Sequence, residues 1–205
     1  MRRLLSFIVF LVTMPLGALA QNDLQYTELK PPQPVASDGN KIDVVEFFWY
    51  GCIHCYNLEP VLEPWIKKLP PDAQFRRVPA VFNPRWGHDA AIFYTFEALG
   101  VLDKVHRPFF DAIHRDHLRT DNAEALDQWL QGQGIDAKKF HETMKSFSVQ
   151  AKTRRAAQLS ADYKIDGTPA MAVQGRYTVS AEQGRSREGM LQTVSALIDK
   201  VRKEK

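Results

Sequence analysis

Residues 42–50, Ile-Asp-Val-Val-Glu-Phe-Phe-Trp-Tyr, form a nearly unbroken β-branched and aromatic run. Such residues suit a pleated strand, and a strand that is apolar on both sides must be covered on both faces. That condition belongs to α/β domains rather than to half-wetted antiparallel sheets. Gly51-Cys52-Ile53-His54-Cys55 follows at once, and the chain from Tyr56 to Lys68 has a helical pattern. Pro60 and Pro64 are expected to kink that helix or divide it, because each removes a backbone donor and crowds the preceding turn. The strand therefore feeds straight into a cysteine pair at the start of a helix.

The remaining elements follow the same periodicities. A short edge strand is expected at Tyr26–Lys30, ahead of Pro31-Pro32-Gln33-Pro34, which cannot join a central sheet. Phe75–Phe82 reads as the next strand. From Trp86 to about Tyr163 the period is helical: Ile92, Phe93, Phe96 and Leu99 share one face, and so do Leu126, Trp129 and Leu130. Asp121 and Glu124 have the spacing of a capping box before the second of these helices. Met171-Ala172-Val173 and Tyr177-Thr178-Val179 flank Gln174-Gly175 as a hairpin. Met190, Leu191, Val194, Leu197, Ile198 and Val201 mark an amphipathic closing helix. The pattern is an α/β domain interrupted by an all-α insertion at about 86–150.

Residues 1–20 have the form of an export signal: basic Arg2 and Arg3, an apolar run from Leu4 to Leu16, and Ala18-Leu19-Ala20 at the cleavage site. The mature chain, 21–205, is then one domain outside the cytoplasm. The formal charge of +3 falls to +1 without Arg2 and Arg3. Bulk charge gives no reason to expect nucleic-acid binding, and Lys152/Arg154/Arg155 and Arg202/Lys203/Lys205 read as solvated faces.

The chain holds only two cysteines, three positions apart, in a protein sent to an oxidising compartment. Linking them closes a tiny loop, for which chain entropy gives about 2 kcal/mol against about 3 kcal/mol for a 15-residue loop. Chemistry explains such a placement better than stability does. The first sulfur of a CxxC at a strand-to-helix junction meets unpaired N–H groups and the positive end of the helix dipole. Cys52 is thus the expected reactive thiolate, Cys55 the resolving thiol, and His54 a further stabiliser of the charge. Thiols in such settings fall from about 8.5 to between about 3.5 and 7.5, and a stabilised thiolate makes the disulfide oxidising. Structural zinc needs about four Cys or His ligands, so no metal is assigned here. His114 and His117 read as a solvated helix face. Glu46, inside the most apolar strand, is expected to be buried with a raised pKa and to serve proton transfer near the thiols. The bland alternative makes it a salt-bridge partner of Arg76 or Arg77. Asp166-Gly167-Thr168-Pro169 is a turn before the hairpin.

Taken together, EFFWYGCIHCY (Glu46–Tyr56), the helical insertion and GTPA (Gly167–Ala170) resemble the DsbA-like thioredoxin family over essentially the whole mature chain. The resemblance implies a thioredoxin fold with an inserted helical domain and a periplasmic thiol:disulfide oxidoreductase with no cofactor. It also implies an acidic end of the thiol range given above. Pro169 would be cis and face the cysteines, and Thr168 and Pro169 would offer backbone to an extended substrate. Partners would be reduced, unfolded exported proteins and a DsbB-like, quinone-linked membrane oxidase; the chain is expected to act as a monomer. The family commonly has Pro where this chain has Ile53, which puts the helix start and the redox potential in question. The rival readings are a disulfide isomerase or reductant, and a non-catalytic metal-binding periplasmic protein built on Cys52, His54 and Cys55.

Overall fold

The computed structural model describes residues 24–37 and 40–204; the expected export signal, 1–20, lies outside them. Strand β2 (Ile42–Phe48) is buried at every position, as its composition requires. It pairs in parallel with β3 (Ala73–Pro79) and antiparallel with β4 (Ala170–Val173), which pairs with β5 (Tyr177–Ser180) and then with the two-residue edge β1 (Thr27–Glu28). The sheet order is β1-β5-β4-β2-β3.

The period-two alternation of β2 divides the core. Ile42 and Val44 pack with Leu58 and Leu62 of α1 (Ile53–Ile66) and with Val194, Leu197 and Val201 of α8 (Arg187–Lys203). Val45 and Phe47 pack on the other face, against α2 (Pro84–Ala98) and α6 (Phe147–Asp162). The chain between β3 and β4 contains only helices: α2, α3 (Leu102–His114), α4 (Ala123–Gly132), α5 (Ala137–Met144) and α6. Phe96, Phe109, Phe110 and Phe140 are completely buried among these helices, giving the block a core continuous with that of the sheet. No helix among the described residues is long and apolar enough to cross a membrane.

Several local expectations need correction. Helix α1 is one helix with Pro60 and Pro64 inside it, undivided. Strand β3 ends at Pro79 rather than Phe82, and Phe82 is instead exposed against Trp86. The cap of α4 is Asn122, whose side chain accepts from Ala125 N–H. Asp121 is occupied by Arg119 and Arg85 instead, so the capping box with Glu124 does not form. His117 lies beyond the end of α3 with φ +59°, and His114 is drawn inward. Lys152 and Arg202 lie on solvated faces as expected, where they form surface ion pairs with Glu97 and with Asp72 and Asp199.

The β4–β5 hairpin is the one anticipated. Gln174 and Gly175 have φ +53° and +61°, and Arg176 N–H donates to Val173 carbonyl at 3.0 Å across the turn. Positive φ at both central residues matches the strand twist. A Cβ on Gly175 would lie 2.1 Å from the Gln33 carbonyl oxygen, whose own residue pairs through its N–H with Gly175. Gly175→Ala should therefore cost about 1–3 kcal/mol in urea denaturation, by backbone strain and by the displaced segment. A change of only a few tenths would mean that residues 33–34 do not hold the turn.

Candidate active site

Strand β2 ends at Phe48 and α1 begins at Ile53, so only a turn separates sheet from helix. Cys52 is the N-cap residue in extended conformation, and no side chain caps the helix there. Ile53 takes the first helical position, where a backbone N–H lacks a helical partner in any case, so the helix starts here without the family's proline. Ile53 is 47% exposed, and the His54 side chain is exposed as well. Cys52 is half-buried and Cys55 completely buried, both as free thiols.

The two sulfurs are pushed in opposite directions. The Cys52 thiol is lowered to about 5, above all by hydrogen bonding from Cys55; burial opposes this, while the Thr168 side chain and the N–H groups of Cys55 and His54 add to it. Cys55 is raised well above the usual thiol range by burial, and further by Cys52 and Glu46. The backbone N–H of His54 is among the groups that lower Cys52.

Antiparallel pairing of Phe47 with Ala170 brings the segment before β4 alongside the turn that follows β2. The Thr168–Pro169 bond is cis, as the resemblance implied, and the Cys52 thiol donates to the Thr168 carbonyl at 3.3 Å. Pro169 and His54 line a cleft of about 420 Å³ with Asn57, Ser186, Arg187 and Met190.

Behind the cysteines lies a charged cluster that the sheet register sorts. Glu46 stands opposite Arg77 in the β2–β3 ladder, and residues one position apart point to opposite faces. Arg77 therefore reaches Glu46 (Nε to Oε2, 3.1 Å) and Glu59 of α1 (3.1 Å), while Arg76 turns to Asp43 on the other face. Glu46 is completely buried and its Oε1 has no hydrogen-bond partner. Burial raises its carboxyl to about 8 against the pull of Arg77. Glu46 is buried with a raised carboxyl, as expected, and is also a partner of Arg77.

Sequence reasoning missed Glu59, His106 and Tyr50. Glu59 is buried; burial alone would raise it, but His106 and Arg77 together hold its carboxyl below the usual range. His106 of α3 is buried, with its pKa lowered chiefly by that burial, and bonded through Nδ1 to the Tyr50 hydroxyl at 2.9 Å. Its Nε2 lies 3.6 Å from Glu59, an ionic distance rather than a hydrogen bond. A Glu in a Pro-containing helix gave one faint signal; a His two helices away gave none.

Two cysteines at a strand-to-helix junction, with a cis-proline loop facing them from the next strand, define a thioredoxin-fold dithiol protein. A family model described as a DSBA-like thioredoxin domain matches residues 66–193. The chain is 38% identical to the thiol:disulfide interchange protein DsbA of Pseudomonas aeruginosa over 98% of both chains. It is 43% identical to that of Azotobacter vinelandii, over 87% of this chain and 83% of the relative. The crystal structure of Pseudomonas aeruginosa DsbA superposes with a TM-score of 0.82 at 39% identity, covering 87% of this chain and 93% of that one. An oxidoreductase of N. meningitidis does so with a TM-score of 0.76 at 32% identity, covering 89% and 94%. The chain belongs to the DsbA-like thioredoxin family, and it is a thiol:disulfide oxidoreductase.

The raised Glu46 carboxyl has a pH consequence. Its pKa rises from 4.5 to about 8 on folding, so the folded protein takes up a proton across that window. The stability this brings is fully present below about 4.5 and is lost as pH rises through about 8. Glu46→Gln should match the parent near pH 4 and be at least about 1 kcal/mol more stable near pH 9 in chemical denaturation. A variant clearly less stable at pH 9 would make the Arg77 pair a net stabiliser and refute this account.

Proposed function

We propose that this chain oxidises pairs of thiols in reduced, unfolded exported proteins by handing over a Cys52–Cys55 disulfide. The observation that carries the proposal is the unequal placement of the two sulfurs, Cys52 half-buried at the start of α1 and Cys55 completely buried inside it. Cys52 is held as a thiolate down to about pH 5, whereas Cys55 holds its proton. Stabilising the reduced pair in this way makes the disulfide form the stronger oxidant.

In the proposed cycle a substrate thiolate attacks Cys52 Sγ. The Cys52–Cys55 bond breaks and Cys55 departs as a thiolate. Cys55 takes up a proton, for which buried Glu46 is the nearby acid. The substrate's second thiolate then attacks its own sulfur in the mixed disulfide and expels Cys52, an easy leaving group at its lowered pKa. Two electrons pass to the enzyme, which ends as the Cys52 thiolate and the Cys55 thiol. The Thr168 backbone, beside Cys52, would pair with an extended substrate segment, and the cleft lined by His54 and Pro169 would take its flanking residues.

The same proposal places the protein in the periplasm, with residues 1–20 as its export signal and a helical insertion at about 86–150 in the thioredoxin domain. It acts as a monomer, is reoxidised by a DsbB-like, quinone-linked membrane protein, and uses neither cofactor nor metal. The redox equilibrium with glutathione tests the direction of electron flow. An oxidant should be largely reduced at glutathione ratios that leave a reductant oxidised.

The roles of the sulfurs separate by substitution. Cys52→Ser should abolish dithiol oxidation, and Cys55→Ser, first charged at Cys52 as a mixed disulfide with glutathione, should exchange the glutathione for a reduced, unfolded protein and accumulate that mixed disulfide on non-reducing gels. Trapping by Cys52→Ser and not by Cys55→Ser would reverse the assignment.

A further inference from the structure

Three side chains of the helical block converge on the four-residue turn that delivers Cys52. Cys52 N–H closes the turn on the Trp49 carbonyl at 3.0 Å. The Trp49 indole donates to Asp89 of α2 at 2.7 Å and stacks on Trp86. The Tyr50 hydroxyl meets His106 of α3 at 2.9 Å, and the Tyr50 carbonyl accepts from His114 Nε2 at 2.8 Å. The last contact differs in kind. Asp89 and His106 hold side chains, whereas His114 holds the main chain of the turn itself. A carbonyl has no proton to give, so Nε2 of His114 carries the hydrogen.

His114 also reaches the far side of the cysteine motif. Its ring stacks on Tyr56 of α1, centroids 4.9 Å apart and planes at 21°. The Tyr56 hydroxyl donates to Asp111 at 2.8 Å, and the Arg107 guanidinium lies 4.6 Å above the Tyr56 ring. Arg107, Asp111 and His114 lie at i, i+4 and i+7, one face of α3. One helix face thus grips both the turn that enters the motif and the helix that leaves it.

That double grip matters because thiolate stabilisation is directional. The N–H groups of His54 and Cys55 ride on α1, while the Cys52 sulfur rides on the turn. Hydrogen bonds weaken steeply with misalignment, so the turn must keep a fixed attitude to the helix. Tyr50 precedes Gly51, which is packed tightly: a Cβ there would come within 2.3 Å of the Trp49 ring.

We propose that His114 is a positioning residue for the dithiol chemistry, fixing the Tyr50–Gly51 peptide so that the Cys52 sulfur meets the N-terminus of α1. It acts through the Tyr50 carbonyl, and the helical block thereby sets the reactivity of a thiol carried by the sheet domain. The inference rests on Cys52 being the working thiolate.

The test compares His114→Leu, which keeps bulk and loses the donor, with His114→Gln, whose amide can still donate. Thiolate absorbance is titrated and the glutathione equilibrium measured for both and for the parent. His114→Leu should lower the acid dissociation constant of Cys52 about three- to tenfold and move the equilibrium by a similar factor toward the oxidised enzyme. His114→Gln should stay within about threefold of the parent. His114→Met replaces the Leu variant if that chain does not fold, and is read the same way. Leu and Gln variants that both match the parent, or shift alike, would overturn the proposal and leave His114 a packing residue. A parent thiol titrating near 9 would instead sink the reading of Cys52 itself, whatever the variants do.

Discussion

Everything at this site depends on β2 running without a break into α1. The strand is buried on both faces, so neither its direction nor its register can vary without exposing a core. The helix it feeds is pinned by Leu58 and Leu62 against the same sheet. The N-terminus of α1 is therefore a fixed point, and a sulfur placed there meets N–H groups that no other element can satisfy. The depressed Cys52 thiol depends on that junction, which brings it the Cys55 side chain first and the N–H groups of Cys55 and His54 after it. Ile53, in the place of the family's proline, leaves the junction intact because the first helical N–H is unpaired in any helix.

The second dependence is electrical. Glu46, Glu59 and Arg77 are brought together by the β2–β3 register and by α1, with both carboxylates out of solvent and Arg77 partly exposed. One cation faces two carboxylates, and the carboxylates share it unequally. Glu59, with His106 as a further partner, stays ionised, and Glu46, with one oxygen unpaired, keeps its proton toward neutral pH. A protonated acid near a buried thiol is what the proposed opening of the disulfide at Cys55 would use. The helical block is part of this arrangement through His106, which meets both Glu59 and the Tyr50 hydroxyl.

The path from residues to function was open wherever the signal was local. Alternation and apolarity located β2, the hairpin and α8, and the two-cysteine spacing located the chemistry. Local rules failed where two caps competed: Asp121 had the better spacing for a capping box, yet Asn122 holds the helix because Arg119 and Arg85 claim the aspartate. They failed again at His114, whose helical spacing to His117 suggested a wet surface, because α3 ends at His114 and packs on Tyr56.

The sequence by itself determined the strand-turn-helix that carries Cys52, the burial of Glu46 and the interrupted α/β layout, since each depends on residues close together in the chain and on their period. It left Arg76 and Arg77 equivalent as partners of Glu46. Only the sheet could separate them, because the alternation of faces becomes a choice of partner once β2 and β3 are in register. Tertiary structure alone also decided that Glu59, His106 and His114 stand at the site. They lie 7, 54 and 62 positions after Cys52 in the chain. They reach it because α1 and α3 fold back over the turn, a consequence of packing two cores rather than of any local propensity.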